Sequence, residues 1–144
     1  MNKWDTRYIE MAYMVAGWSK DPSTKCGAVI TEGKRLISVG FNGFPQNTND
    51  SPELYDYREE KYRRVQHSER NAILFAQRNL DGCTMYVVPM PPCSQCAGMI
   101  IQSGIKRVVT VQATGSNKKR WAKDIQSTLD MFREAAITIE YIKK

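Results

Sequence analysis

The chain has 144 residues, 42% of them apolar, and a formal charge of +6, which suits one domain with a buried core. No apolar run approaches ~18 residues, so neither a membrane span nor a secretory leader is expected and a cytoplasmic protein is. Four cysteines, two of them in the run Cys93-Ser94-Gln95-Cys96, fit a reducing compartment with Cys26 and Cys83 as free core thiols.

Trp4, Tyr8, Met11, Val15 and Trp18 recur at spacings of 4, 3, 4 and 3, the stripe of an amphipathic helix that covers a sheet and ends near Gly17 to Pro22. Asp21 to Thr24 turns the chain into a strand over 25–31, and Glu32-Gly33-Lys34 joins it to a second strand over 36–41, a hairpin pattern. That strand runs into Gly40-Phe41-Asn42-Gly43, whose glycines fit turn chemistry better than close approach to a ligand. Residues 46–66 are polar, with a short exposed helix expected over 53–64, and a segment of this length suggests a lid or a subunit contact. His67 opens a helix to about Arg78, and Asp81-Gly82 stops the chain before a buried strand over 83–88. A helix over 93–103 ends at Gly104, and a strand follows over 107–111. A loop over 112–119 leads to a last helix with Trp121, Ile125, Leu129 and Phe132 on one face. In a final strand Ile137, Ile139 and Tyr141 alternate. Two strand–helix–strand crossings require parallel neighbours, so the expected fold is α/β, a five-stranded mixed sheet with helices on both faces.

Two segments carry chemistry. His67-Ser68-Glu69 and Pro92-Cys93-Ser94-Gln95-Cys96 each open a helix, and one imidazole with two thiolates suits Zn²⁺ while leaving a coordination position for water. Cys93 and Cys96, three residues apart, share a helix face, and the positive end of that helix favours thiolates. Glu69 stands where it can move protons without being a ligand. A C-x-x-C run alone could be a redox pair, but here it accompanies the chain's sole histidine. The non-enzymatic alternative is a closed zinc module with Cys26 or Cys83 as fourth ligand. Residues 105–144 hold nine Lys or Arg against four Asp or Glu, a basic end that would suit a phosphorylated small molecule or a nucleic acid.

H-x-E followed by P-C-x-x-C is the known signature of zinc-dependent nucleobase deaminases, so these roles are recognised rather than deduced. With Asp-Pro-Ser-Thr-Lys at 21–25, Gly-Phe-Asn-Gly at 40–43, His-Ser-Glu-Arg-Asn-Ala-Ile at 67–73 and Ile-Ile-Gln-Ser-Gly-Ile-Lys at 100–106, the chain resembles the cytidine deaminase superfamily. Within it, the resemblance is to the deoxycytidylate (dCMP) deaminases of bacterial or phage type, which would place a phage-encoded chain in the host cytoplasm. The resemblance implies a three-layer α/β/α cytidine-deaminase-like fold, one zinc per subunit on His67, Cys93 and Cys96, and Glu69 as proton carrier for hydrolysis of dCMP to dUMP. It implies that Asn42 bonds the sugar and that the backbone around Ser68, where alanine is common, holds the pyrimidine carbonyl. It further implies a homo-hexamer with an effector site at Gly40, Phe41, Asn42 and Gly43, near Arg78. There dCTP would activate and dTTP inhibit, with Mg²⁺ accompanying the triphosphate. Lys25, Lys118, Lys119, Arg120 and Lys123 are the candidates for phosphate. A tRNA adenosine or polynucleotide deaminase is the enzymatic alternative, disfavoured because no aromatic–basic alternation marks a strand-binding platform.

Overall fold

The computed structural model describes residues 2–143. Along the chain lie α1 (Lys3–Ala16), β1 (Gly27–Glu32), β2 (Arg35–Phe41), α2 (Pro52–Asp56), α3 (Arg58–Arg64), α4 (Ser68–Ala76), β3 (Thr84–Val88), α5 (Ser94–Ser103), β4 (Arg107–Thr110), α6 (Gly115–Arg120), α7 (Ala122–Glu134) and β5 (Thr138–Tyr141). The sheet order is β2-β1-β3-β4-β5, with β1 antiparallel to both neighbours and β3, β4 and β5 parallel. Crossovers through α5 and α7 produce the parallel half, as their length requires. No helix among the described residues is long and apolar enough to cross a membrane.

Strand alternation sorts the core into two layers. Ala28, Ile30, Met85, Val87 and Val108 face Ala72 of α4, Ala97 and Ile100 of α5, and Phe132 of α7, whereas Val29, Tyr86, Val88 and Val109 face Tyr8, Ile9, Ala12 and Ala16 of α1. The central strands are covered on both sides, which is why β3 reads as an unbroken apolar run. Two glycines permit the close approach. A Cβ on Gly27 would stand 2.1 Å from the Ala12 carbonyl oxygen of α1, and one on Gly40 would stand 2.4 Å from the Ala72 nitrogen of α4. Gly40 is therefore a strand residue under a helix, not the turn residue that its neighbours suggest.

Other boundaries also differ from the sequence reading. The loop expected over 112–119 contains helix α6, and the single helix expected over 53–64 is two, broken at Tyr57. The helix after His67 ends at Ala76 because Gln77 takes a left-handed conformation, φ 51. Trp18, assigned to the α1 stripe, lies beyond the helix and meets Phe41 edge-on.

Asp5 ties α1 to the sheet. Buried, it accepts both Arg107 guanidinium nitrogens at 2.9 and 2.8 Å and the Tyr86 hydroxyl at 2.7 Å, and Arg107 also reaches Glu140 at 2.6 Å. The Arg107 hydrogen bonds hold the Asp5 carboxyl at about 2, against the opposing effect of burial. A depressed carboxyl stabilises the fold fully above its unfolded value near ~4 and loses that contribution as pH falls through about 2. Between pH 4 and 2, urea unfolding of the wild type should therefore lose about 2 kcal/mol that Asp5→Asn does not lose. Parallel pH profiles for the two proteins would contradict this role.

Candidate active site

Helix α4 starts immediately after His67 and α5 immediately after Cys93, so each N-cap residue delivers a potential ligand. His67 Nδ1 lies 3.4 Å from Cys93 Sγ and 3.5 Å from Cys96 Sγ, and the three atoms lie within 4.8 Å of one another. Tetrahedral zinc with bonds near ~2.0–2.1 Å to nitrogen and ~2.3 Å to sulfur subtends an N···S edge of about 3.6 Å, so both N···S separations suit that ion. The Cys96 N–H points at Cys93 Sγ, 3.5 Å away. A hydrogen bond from the Cys96 thiol, with help from His67, holds the Cys93 thiol well below its ordinary range, while the same bond and burial push Cys96 up. Its hydrogen bond to Cys93 likewise raises His67. Among the described residues no fourth His, Cys, Asp or Glu joins the trio.

A cavity of about 340 Å³ opens beside these side chains, with Cys26, Asn42, His67, Glu69 and Cys93 in its lining. Glu69 is 5% exposed, and burial raises its carboxyl above the ordinary carboxylate value. Its Oε1 accepts the Ser68 hydroxyl at 2.8 Å. The far walls come from Tyr55, Arg58, Lys61 and Tyr62 on α2 and α3 and from Asn117, Arg120 and Trp121 on or beside α6. Arg120 reaches the Tyr62 hydroxyl, so the two walls touch. The α2–α3 wall is latched from within: buried Lys61 donates to Asp21 at 2.8 Å.

Of the residues singled out from the sequence, His67, Cys93 and Cys96 come together, Glu69 lies in the wall of the adjoining cavity, and Asn42 and Arg120 join its lining. The Asn42 amide is nearly saturated: Oδ1 accepts the Cys26 N–H at 2.8 Å, and Nδ2 donates to the Thr24 carbonyl at 2.9 Å and to Asp21 at 3.3 Å. Ser68 is fully buried outside the lining, with its hydroxyl on Glu69. Lys25 is exposed, bonds the Ser19 carbonyl and does not line the cavity; neither do Lys118, Lys119 or Lys123. Gly40 abuts α4, Phe41 is partly exposed, and Gly43 exchanges backbone hydrogen bonds with Gln66. Arg78 pairs with Glu32 at 3.0 Å. Arg58, Tyr62 and Lys61 escaped sequence reading because their run of mixed charge has the look of a solvated helix; only the buried partner Asp21, forty residues earlier, gives Lys61 away.

An α/β/α fold carrying a His-Cys-Cys pocket and a buried carboxyl defines the class, and residues 2–112 match the model of the cytidine and deoxycytidylate deaminase zinc-binding region. The chain belongs to that family of deaminases. An uncharacterized deaminase in the luxG 3' region of Aliivibrio fischeri is 46% identical over 99% of this chain and 95% of its own length. The deoxycytidylate deaminase of Enterobacteria phage T2 is 31% identical, covering 94% of this chain and 90% of its own. The mouse deoxycytidylate deaminase is 34% identical, over 94% and 78%. In fold, the chain matches the crystal structure of dCMP deaminase from the cyanophage S-TIM5 with a TM-score of 0.74 at 22% identity, over 99% of this chain and 100% of that one.

Proposed function

We propose that this protein hydrolyses dCMP to dUMP and ammonia, with Zn²⁺ on His67, Cys93 and Cys96 and with Glu69 carrying protons. The observation that carries the reading is the buried Glu69 carboxyl lining the same cavity as His67 and Cys93. Zinc supplies Lewis acidity, bringing the pKa of a water down toward ~7. Glu69 does the rest of the proton work: it accepts a proton from the water that adds to C4 and delivers it to N3, then takes the proton of the new C4 hydroxyl and passes it to the amine as the C4–N bond breaks and the carbonyl forms. A carboxyl raised by burial suits a group that must hold a proton for part of each turnover. The names of the phage and mouse relatives support deoxycytidylate as substrate.

Asn42 can serve the sugar in one way only. Both its N–H donors are taken within the protein and one Oδ1 lone pair is used, so it can accept from a sugar hydroxyl but not donate to one. The phosphate end is assigned to Arg58 and Arg120, the two guanidinium groups in the lining. The Arg58 side chain makes no hydrogen bond or ion pair among the described residues, whereas Lys61 is committed to Asp21. Charge-assisted hydrogen bonds contribute ~1.5–3 kcal/mol, so Arg58→Ala and Arg120→Ala should each lower kcat/KM on dCMP about 10- to 100-fold. Deoxycytidine, which lacks the phosphate, should change little. Equal losses on both substrates would remove these residues from phosphate recognition.

Regulation by dCTP as activator and dTTP as inhibitor in a homo-hexamer, with the effector at Gly40 to Gly43, rests on the family resemblance. Within that stretch Phe41 is the exposed side chain available to a neighbour. Mg²⁺ would arrive with the triphosphate, for no group of three or more carboxylates gathers among the described residues. The deciding assay compares deamination of dCMP, deoxycytidine, dCTP and cytidine, each with and without dCTP or dTTP. Comparable kcat/KM for dCMP and deoxycytidine would overturn the nucleotide assignment.

A further inference from the structure

Helix α7 lies beyond residue 112, where the family match ends, yet it grips the metal-ligand loop on both sides of Cys93. Before Cys93, the fully buried Thr128 hydroxyl donates to the Pro92 carbonyl at 2.8 Å. After Cys93, the Asp124 carboxylate accepts the Ser94 backbone N–H at 2.8 Å and the Ser94 hydroxyl at 2.6 Å. Asp124 and Thr128 are four residues apart and so project from one face of α7. Neither touches the trio itself.

These bonds satisfy groups that the loop cannot satisfy alone. Ser94 N–H belongs to the first turn of α5, where helix amides have no partner within the helix, and the Pro92 carbonyl precedes any helical ladder. With both groups fixed, the backbone of Cys93 is held at its entrance and its exit, which sets the position from which Sγ reaches toward His67 Nδ1.

We infer that Asp124 and Thr128 are positioning residues for the metal, setting its affinity through the backbone of Cys93 rather than by ligation. This rests on the zinc reading of His67, Cys93 and Cys96. The α7 face acts as a buttress: it removes the freedom that the Pro92–Ser94 segment would otherwise lose on binding the ion. Partners one step removed from the ligands commonly change metal affinity 10- to 100-fold when lost.

The test is zinc affinity of the full-length protein, measured by competition with a chromophoric chelator at neutral pH. Asp124→Ala and Thr128→Val should each bind zinc 10- to 100-fold more weakly. Asp124→Asn, which keeps an acceptor for Ser94 N–H, and Thr128→Ser, which keeps the hydroxyl, should recover most of the loss. Asp130→Ala removes an acid from the same helix that pairs with Arg133 and Gln126, and should bind as the wild type does. Asp124 is only partly buried, so its truncation leaves the core intact and the test does not depend on Thr128 variants folding. In parallel, urea unfolding with and without zinc should show the zinc-dependent part of stability falling in Asp124→Ala by the free-energy equivalent of the lost affinity, RT times the logarithm of the fold-change. Unchanged affinity, with zinc-free and zinc-loaded protein destabilised equally, would make α7 a structural prop and overturn the inference. Wild-type protein that takes up no stoichiometric zinc would instead overturn the zinc reading, and this inference with it.

Discussion

Glu69→Ala should retain one zinc per chain and lose about 10²–10⁴-fold in kcat on dCMP, the usual contribution of a positioned acid–base group. The separation of effects follows from geometry. Glu69 is not part of the trio that lies within 4.8 Å, so removing it takes away no ligand. What goes is a buried carboxyl in the cavity wall beside His67 and Cys93; the other buried one in the lining, Asp21, is committed to Lys61. Glu69→Gln sharpens the experiment, because the amide oxygen can still accept the Ser68 hydroxyl while the group can no longer take up and release a proton. Zinc content by elemental analysis beside steady-state turnover reads both quantities. A zinc-loaded Glu69→Gln protein that turned over at near wild-type rate would end the proton-carrier assignment.

The second large effect comes from a methyl group added at a residue that is neither a proposed ligand nor part of the cavity lining. Gly40→Ala would set a Cβ 2.4 Å from the Ala72 nitrogen and 2.5 Å from the Ser68 carbonyl oxygen, both backbone atoms of α4 that cannot rotate aside. Ordinary contact lies about 1 Å farther out, so the helix must lift off β2 by that amount or the strand must buckle, and overpacking of this kind costs ~1–3 kcal/mol or more. The site suffers twice. His67 and Glu69 are carried by the N-terminal end of α4, whereas Cys93 and Cys96 stay with α5, so the displacement pulls imidazole from thiolates. A misplacement of ~1 Å in a catalytic constellation can cost ~10²-fold. Gly40→Ala should therefore lower the unfolding temperature and weaken zinc binding together. A well-folded Gly40→Ala protein with wild-type zinc affinity would show that α4 does not depend on this contact.

That same glycine marks where sequence reasoning stopped. Read locally, Gly40-Phe41-Asn42-Gly43 is turn chemistry; the need for a missing side chain at Gly40 comes from α4, which only the folded chain brings there. Helix α6 was missed for a different reason: Gly115-Ser116-Asn117-Lys118-Lys119-Arg120 has no apolar periodicity to reveal it. The sheet and its major helices were legible because strands covered on both faces, and helices packed on one, must write their apolar residues at fixed spacings. The meeting of His67, Cys93 and Cys96 beside a cavity that Glu69 lines was legible because a metal reading restricts which residue types to look for. Most of the cavity wall was not, since almost any polar or aromatic side chain can form a wall: counting charge picks out Arg120, which lines the cavity, but also Lys25, which does not, and passes over Arg58.

The sheet order carries a last consequence. Helix α4 packs across β2 and β1, the antiparallel side, and α5 follows β3, where the parallel side begins. The imidazole and the sulfurs thus straddle the seam where strand direction changes, and neither half of the molecule owns a complete set of donors. With zinc on the trio as proposed, a chain that opened on one side only would release the ion, metal loss would report on the seam's integrity, and the bound ion would rivet it against partial opening.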